Sequence, residues 1–95
     1  MTPTEKILAI IRSFPCLRGR FGQWRPKEFK PDEFWKGTAG MSHGELLCAQ
    51  FILNVWNSHY AQAKGWTFDV IEFASVLDYE NRLALLQWMA NPIWP

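Results

Sequence analysis

Between Leu46 and Trp56 only Gln50 and Asn54 are polar. A strand usually runs about five or six residues, so an apolar run of this length reads as a helix. A helix that is apolar around nearly its whole circumference has to be surrounded by other elements, which predicts a central, buried one. Ser42-His43-Gly44-Glu45 supplies a capping box at its start, and Lys64-Gly65 a stop after Ala63. The expected helix covers 42–63, with Leu46, Ile52, Leu53 and Trp56 in the core. His43, Gln50, Asn54 and Asn57 fall along one narrow line of it, a polar stripe on apolar walls of the kind that can line a small-molecule pocket.

Other helix signals flank this element. Thr2-Pro3-Thr4-Glu5 is a second capping box with Pro at the first helical position, and Ile7, Leu8, Ile10, Ile11 and Phe14 follow at three-and-four spacing until Pro15. A first helix is expected over 3–13. Asp69 can cap a helix ending near Leu77, with Phe68 and Phe73 stapled across its start. Asp78 can cap a last one through Leu83, Leu85, Leu86, Trp88 and Met89, stopped by Asn91-Pro92. These elements predict an all-α fold: a single-domain bundle of about four helices covering residues 1–95.

Residues 15–40 show no sustained period and hold most of the glycines and half of the prolines, so an irregular segment is expected between the first helix and the central one. A small sheet there is also compatible with the composition. Inside it Arg25-Pro26-Lys27-Glu28-Phe29 is followed at once by Lys30-Pro31-Asp32-Glu33-Phe34, two copies of a basic, Pro, charged, Glu, Phe unit. Each copy suits one helical turn, and the second is expected to form a short helix from Pro31 to Lys36 with Gly37 as its stop.

The net charge of +1 conceals an asymmetry, because residues 1–40 carry eight Lys or Arg against four acids, whereas 41–95 carry two against five. Cations interleaved with rings (Arg18, Arg20, Phe21, Trp24, Arg25, Lys27, Lys30, Trp35) are what single-stranded nucleic acid needs. Glu28, Asp32 and Glu33 dilute that patch, and the pI near 7.8 is below the strongly basic range of such binders.

Patterns for catalysis are weaker still. Cys48 lies five residues after His43, about 140° away around a helix, and an apolar helix disfavours the thiolate a nucleophile requires. Cys16 sits among basic residues but has no partner base nearby in sequence. His43, His59 and the two cysteines lack the paired short spacings of a zinc site, and no glycine cluster matches a nucleotide loop. No cofactor and no metal are expected. Ile7–Ile11 is too short for a signal-peptide core or a membrane span, and two widely spaced cysteines do not make a disulfide framework, so the expected compartment is a reducing cytoplasm.

The sequence therefore points to a non-enzymatic protein that binds another protein; from size alone, the narrower expectation is an adaptor, a toxin or nuclease inhibitor, or a small accessory factor of a bacterial mobile element. The expected interaction surface comprises Arg20, Trp24, Arg25, Lys27, Lys30 and Trp35. The alternative is a nucleic-acid-binding module using 18–36. A third surface is offered by the tail Pro92-Ile93-Trp94-Pro95, too apolar to hang free, which must dock on its own domain or on a partner.

Overall fold

The computed structural model describes all 95 residues and contains seven helices and no strand. They are α1 (Pro3–Ser13), α2 (Pro15–Phe21), α3 (Pro31–Lys36), α4 (His43–Trp56), α5 (Ser58–Ala63), α6 (Val70–Val76) and α7 (Tyr79–Ala90). The all-α class holds; beyond the expected four helices and the short one at Pro31–Lys36 there are two more, α2 and α5, and there is no sheet within 15–40.

Helix α4 is the hub. Ser42 Oγ accepts from Glu45 N–H and Glu45 Oε1 from Ser42 N–H, closing the expected capping box. Seven of its residues are buried, from Leu47 through Val55 and pointing to all sides, because α1, α2, α3, α5 and α6 all pack against it. Ile52 and Leu53 are fully enclosed, while Leu46 and Trp56, expected in the core, are half-buried at its margin.

The expected 42–63 helix is broken at Asn57. Its backbone is extended (φ −162°, ψ 104°), and its side-chain oxygen accepts from His59 N–H at 3.0 Å and Tyr60 N–H at 3.1 Å. One residue thus ends α4 and caps α5, since Asn gains more from satisfying free first-turn amides than from helical continuity. Helix α5 closes where expected: Gly65 takes φ +76°, and Trp66 N–H donates to Ala61 O at 2.8 Å and Gly65 N–H to Gln62 O at 2.9 Å. This left-handed ending favours glycine.

Helix α2 was not expected, because Pro15 reads first as a stop. Proline drives the residue before it out of the helical region, and Phe14 is indeed extended (φ −93°, ψ 112°). Proline is equally at home at the first position of a new helix, where its missing N–H costs nothing. Pro15 therefore ends α1 and opens α2, which buries Leu17 and Phe21 one turn apart.

The two repeat units diverge for the same reason. Pro31 forces Lys30 into extended geometry (φ −115°, ψ 116°), which truncates any turn begun at Pro26, so 26–30 stays irregular. The second unit can run on through Trp35 and Lys36 and forms α3 as expected. Both phenylalanines are buried nonetheless, Phe29 and Phe34 stacking with Phe21 and Trp24 at ring separations between 4.6 and 6.2 Å. A second group of rings, Phe14, Phe51, Phe68 and Phe73, lies under α6, the Phe68–Phe73 staple closing at 5.5 Å. All 22 buried apolar residues form one cluster, and no helix is long and apolar enough to cross a membrane.

Candidate functional site

The basic aromatic segment is largely occupied with its own fold. Arg20 Nη1 donates to Gly37 O at 2.9 Å and to Ala39 O, pinning the turn after α3. Arg25 Nη1 donates to Gly22 O at 2.8 Å and Trp24 O at 3.0 Å. Trp24 is half-buried among Phe21, Phe29 and Phe34, and its carbonyl also accepts from Arg12 Nη2 at 3.2 Å. Trp35 lies beneath the Lys64 ammonium, 4.5 Å from the ring centre. The rings that would stack on bases are thus already stacked on one another or capped by a cation. Lys27 and Lys30 are exposed, and neither is ion-paired. Beside them Tyr60 donates its hydroxyl to Asp32 Oδ1, joining α5 to α3, and desolvation with this carboxylate pushes the phenol up to about 12.

The polar stripe does not converge on a cavity. His43 is exposed and its Nε2 faces Glu72 Oε1 at 2.9 Å. Asn54 Nδ2 donates to Gln50 O at 2.8 Å and Trp66 O at 3.1 Å, tying α4 to the chain leaving α5, and Asn57 is spent on the α5 cap. Asn54 and Asn57 thus serve backbone groups and His43 a carboxylate, and the break at Asn57 takes that residue off the α4 line.

The surface feature the residue pattern did not reveal lies in the last third of the chain. Of nine large apolar side chains left exposed, eight fall between residues 70 and 94. Ile71 is 76% exposed, Leu86 60%, Met89 56% and Trp94 61%. A groove of about 230 Å³ opens between α6 and α7, walled by Val70, Phe73 and Ala74 on one side and Leu85, Leu86 and Met89 on the other. Arg82 is its one charged wall, and that guanidinium donates to Leu77 O at 3.2 Å and Ala74 O at 3.4 Å, bracing the α6–α7 turn. The remaining charges of α6, α7 and their caps are acidic: Asp69, Glu72, Asp78 and Glu80. Asp78 caps α7 through Asn81 N–H, and the amide hydrogen bonds from Asn81 hold its carboxyl below the usual range.

A signal for this face was present. In α7 the apolar residues Leu83, Ala84, Leu85, Leu86, Trp88 and Met89 spread over about 260° of arc at 100° per residue. A peripheral helix buries about 100° or somewhat more, so part of that arc had to remain outside. The tail does dock: Trp88 Nε1 donates to Ile93 O at 3.1 Å and Trp94 meets Trp88 edge-on at 4.9 Å, although Trp94 stays mostly uncovered.

Compared with protein-family models, with curated proteins and with solved structures, the chain matches none.

Proposed function

We propose that this chain is a small non-enzymatic protein that acts by binding another protein, and that the α6–α7 face makes the contact. The observation carrying this reading is the groove between α6 and α7, where Val70, Leu86 and Met89 are left exposed side by side, since a contiguous apolar patch on a small protein usually marks an interaction site. The groove suits an amphipathic helix laid lengthwise, with apolar residues one turn apart entering between Val70 and Met89. The one arginine of the groove is engaged with backbone carbonyls and the other charges of α6, α7 and their caps are acidic, so the net field at this end of the domain favours a partner that carries Lys or Arg beside its apolar stripe. The cytoplasm is the setting on this reading, its two cysteines remaining thiols there.

Affinity capture from a cell lysate, with and without nuclease, tests this. A protein should be retained after nuclease treatment, lost from a Leu86→Asp, Met89→Asp double variant with a native circular-dichroism spectrum, and kept by Lys27→Glu, Lys30→Glu. Capture that requires nucleic acid and vanishes with the lysine variant would overturn the reading in favour of phosphate contact by the 18–36 segment.

A further inference from the structure

Where the chain leaves α3 and again where it leaves α5, it borders an open pocket of about 460 Å³, a volume in the range of small-molecule sites. Trp35 and Trp66 supply indole walls and Leu46 of α4 an aliphatic one. All three side chains are half-buried, packed against the core without being covered by it. The pocket shares no residue with the α6–α7 groove. Its hydrogen-bonding groups are lopsided. The carbonyls of the wall are already used: Trp35 O accepts from the buried Thr38 hydroxyl at 2.6 Å, Lys36 O from Ala39 N–H at 3.3 Å, and Thr38 O from Met41 N–H at 3.1 Å. Ala39 O accepts from Arg20 Nη1, and Trp66 O from Asn54 Nδ2 at 3.1 Å. The donors are spare. Trp88 alone bonds its indole N–H within the protein, so those of Trp35 and Trp66 are unbonded, and both reach solvent. The Gly40 amide, at φ +80°, also has no partner, and Lys36 is exposed and unpaired. The Lys64 ammonium over the Trp35 ring adds a second cation, and no Asp or Glu lines the pocket. On the adjoining elements Glu45 is engaged in the Ser42 capping box and Asp32 with the Tyr60 hydroxyl, which leaves Glu33 of α3.

We infer that this pocket is a binding site for a small flat aromatic carboxylate, its ring set against the indoles of Trp35 and Trp66 and its anion turned to Lys36. Tryptophan and lysine side chains only donate, and an ionised carboxylate only accepts, so the ligand supplies what the wall lacks. A neutral amide matches that wall less well, because it brings donors where the carbonyls are already taken and no charge for the two lysines. Flatness follows from the indoles, which gain from an aromatic neighbour in offset or edge-on contact beyond the area it covers. Leu46 completes an apolar floor of the kind that small-molecule sites combine with a few polar groups.

The test is a titration of the full chain with naphthalene-2-carboxylate at low salt, followed in proton–nitrogen correlation spectra. The Trp35 and Trp66 indole N–H signals and the Gly40 amide should shift and saturate with a dissociation constant of about 1 mM or tighter, while the Trp88 and Trp94 indole signals stay in place. Naphthalene-2-carboxamide and cyclohexanecarboxylate should each bind about fivefold more weakly, the first lacking the charge and the second the flat ring. A Lys36→Ala, Lys64→Ala double variant should lose about fivefold for the carboxylate and little for the carboxamide. Both lysines are exposed, and the comparison of carboxylate with carboxamide on the wild-type chain decides even where the variant is unstable. Shifts centred on other residues, no saturation by about 10 mM, or equal affinity for carboxylate and carboxamide would each overturn the inference. Tighter binding of adenosine monophosphate than of the naphthoate would overturn the assignment to a carboxylate.

Discussion

The repeat from Arg25 to Phe34 and the pair of helices α6 and α7 handle apolar side chains in opposite ways. In the repeat every ring is turned inward, and the exterior is left to Lys27, Glu28, Lys30, Asp32 and Glu33. In α6 and α7 the charges are drawn into caps and braces, as with Asp69, Asp78 and Arg82, and the apolar side chains stand outside. Residue type alone suggests the reverse, because cations next to tryptophans look adhesive whereas a leucine-rich terminal helix looks like ordinary core. The difference teaches that adhesiveness depends on what is left over after packing.

The largest expected effect probes this contrast on its buried side. Phe34 is fully enclosed, stacks on Phe21 at 4.6 Å and contacts Trp24 and Phe29, so Phe34→Ala should cost about 3 to 5 kcal/mol in urea unfolding. Leu86→Asp, on the exposed side, should change stability by no more than about 0.5 kcal/mol. If Leu86→Asp proved as damaging as Phe34→Ala, the α6–α7 face would be core and the comparison would collapse.

An effect of about 1 kcal/mol is expected at the joint that lets α5 fold back beside the repeat. Asn57→Ala removes the acceptor for two first-turn amides, and loss of such a cap typically costs that much in thermal unfolding. Alkali should act on the same junction. Tyr60 is held protonated up to about 12 against an ordinary value of 10.0, so its contribution is complete below about pH 10 and is lost as the pH rises through about 12. Tyr60→Phe should flatten that part of the stability profile, measured as melting temperature between pH 9 and 12.

Much of this architecture is legible in the chain because helix ends carry local chemistry. Thr2, Ser42, Asp69 and Asp78 each cap the helix that their spacing announces. What escapes is the signal with two meanings. Pro15 both stops and starts a helix, and Asn57 can either ride within a helix or end one, a choice made by whether the following amides find other partners. Surface placement is harder still, since burial of Trp24 and exposure of Met89 depend on which neighbours arrive from distant parts of the chain.

The smallest expected effect is the sharpest discriminator. Lys27 and Lys30 are exposed and unpaired, and Lys30 precedes α3 without contributing a side-chain cap, so reversing both to Glu removes no contact. A carboxylate at position 30 would gain slightly from the amide-rich start of α3 and lose slightly to Asp32 and Glu33, two small terms of opposite sign. The double variant should therefore melt within about 0.5 kcal/mol of the parent. Its binding behaviour separates the two surfaces. A basic amphipathic partner seated between α6 and α7 should bind as well as before, or slightly better at low salt, because the long-range field of the domain becomes more negative. A phosphate-bearing partner lying along 18–36 should lose affinity and lose part of its salt dependence too, since two of its counterion-releasing contacts would be gone. Titrating captured partner against wild type and variant at two ionic strengths distinguishes these outcomes, and a steep loss confined to low salt would move the working surface from the apolar groove to the repeat.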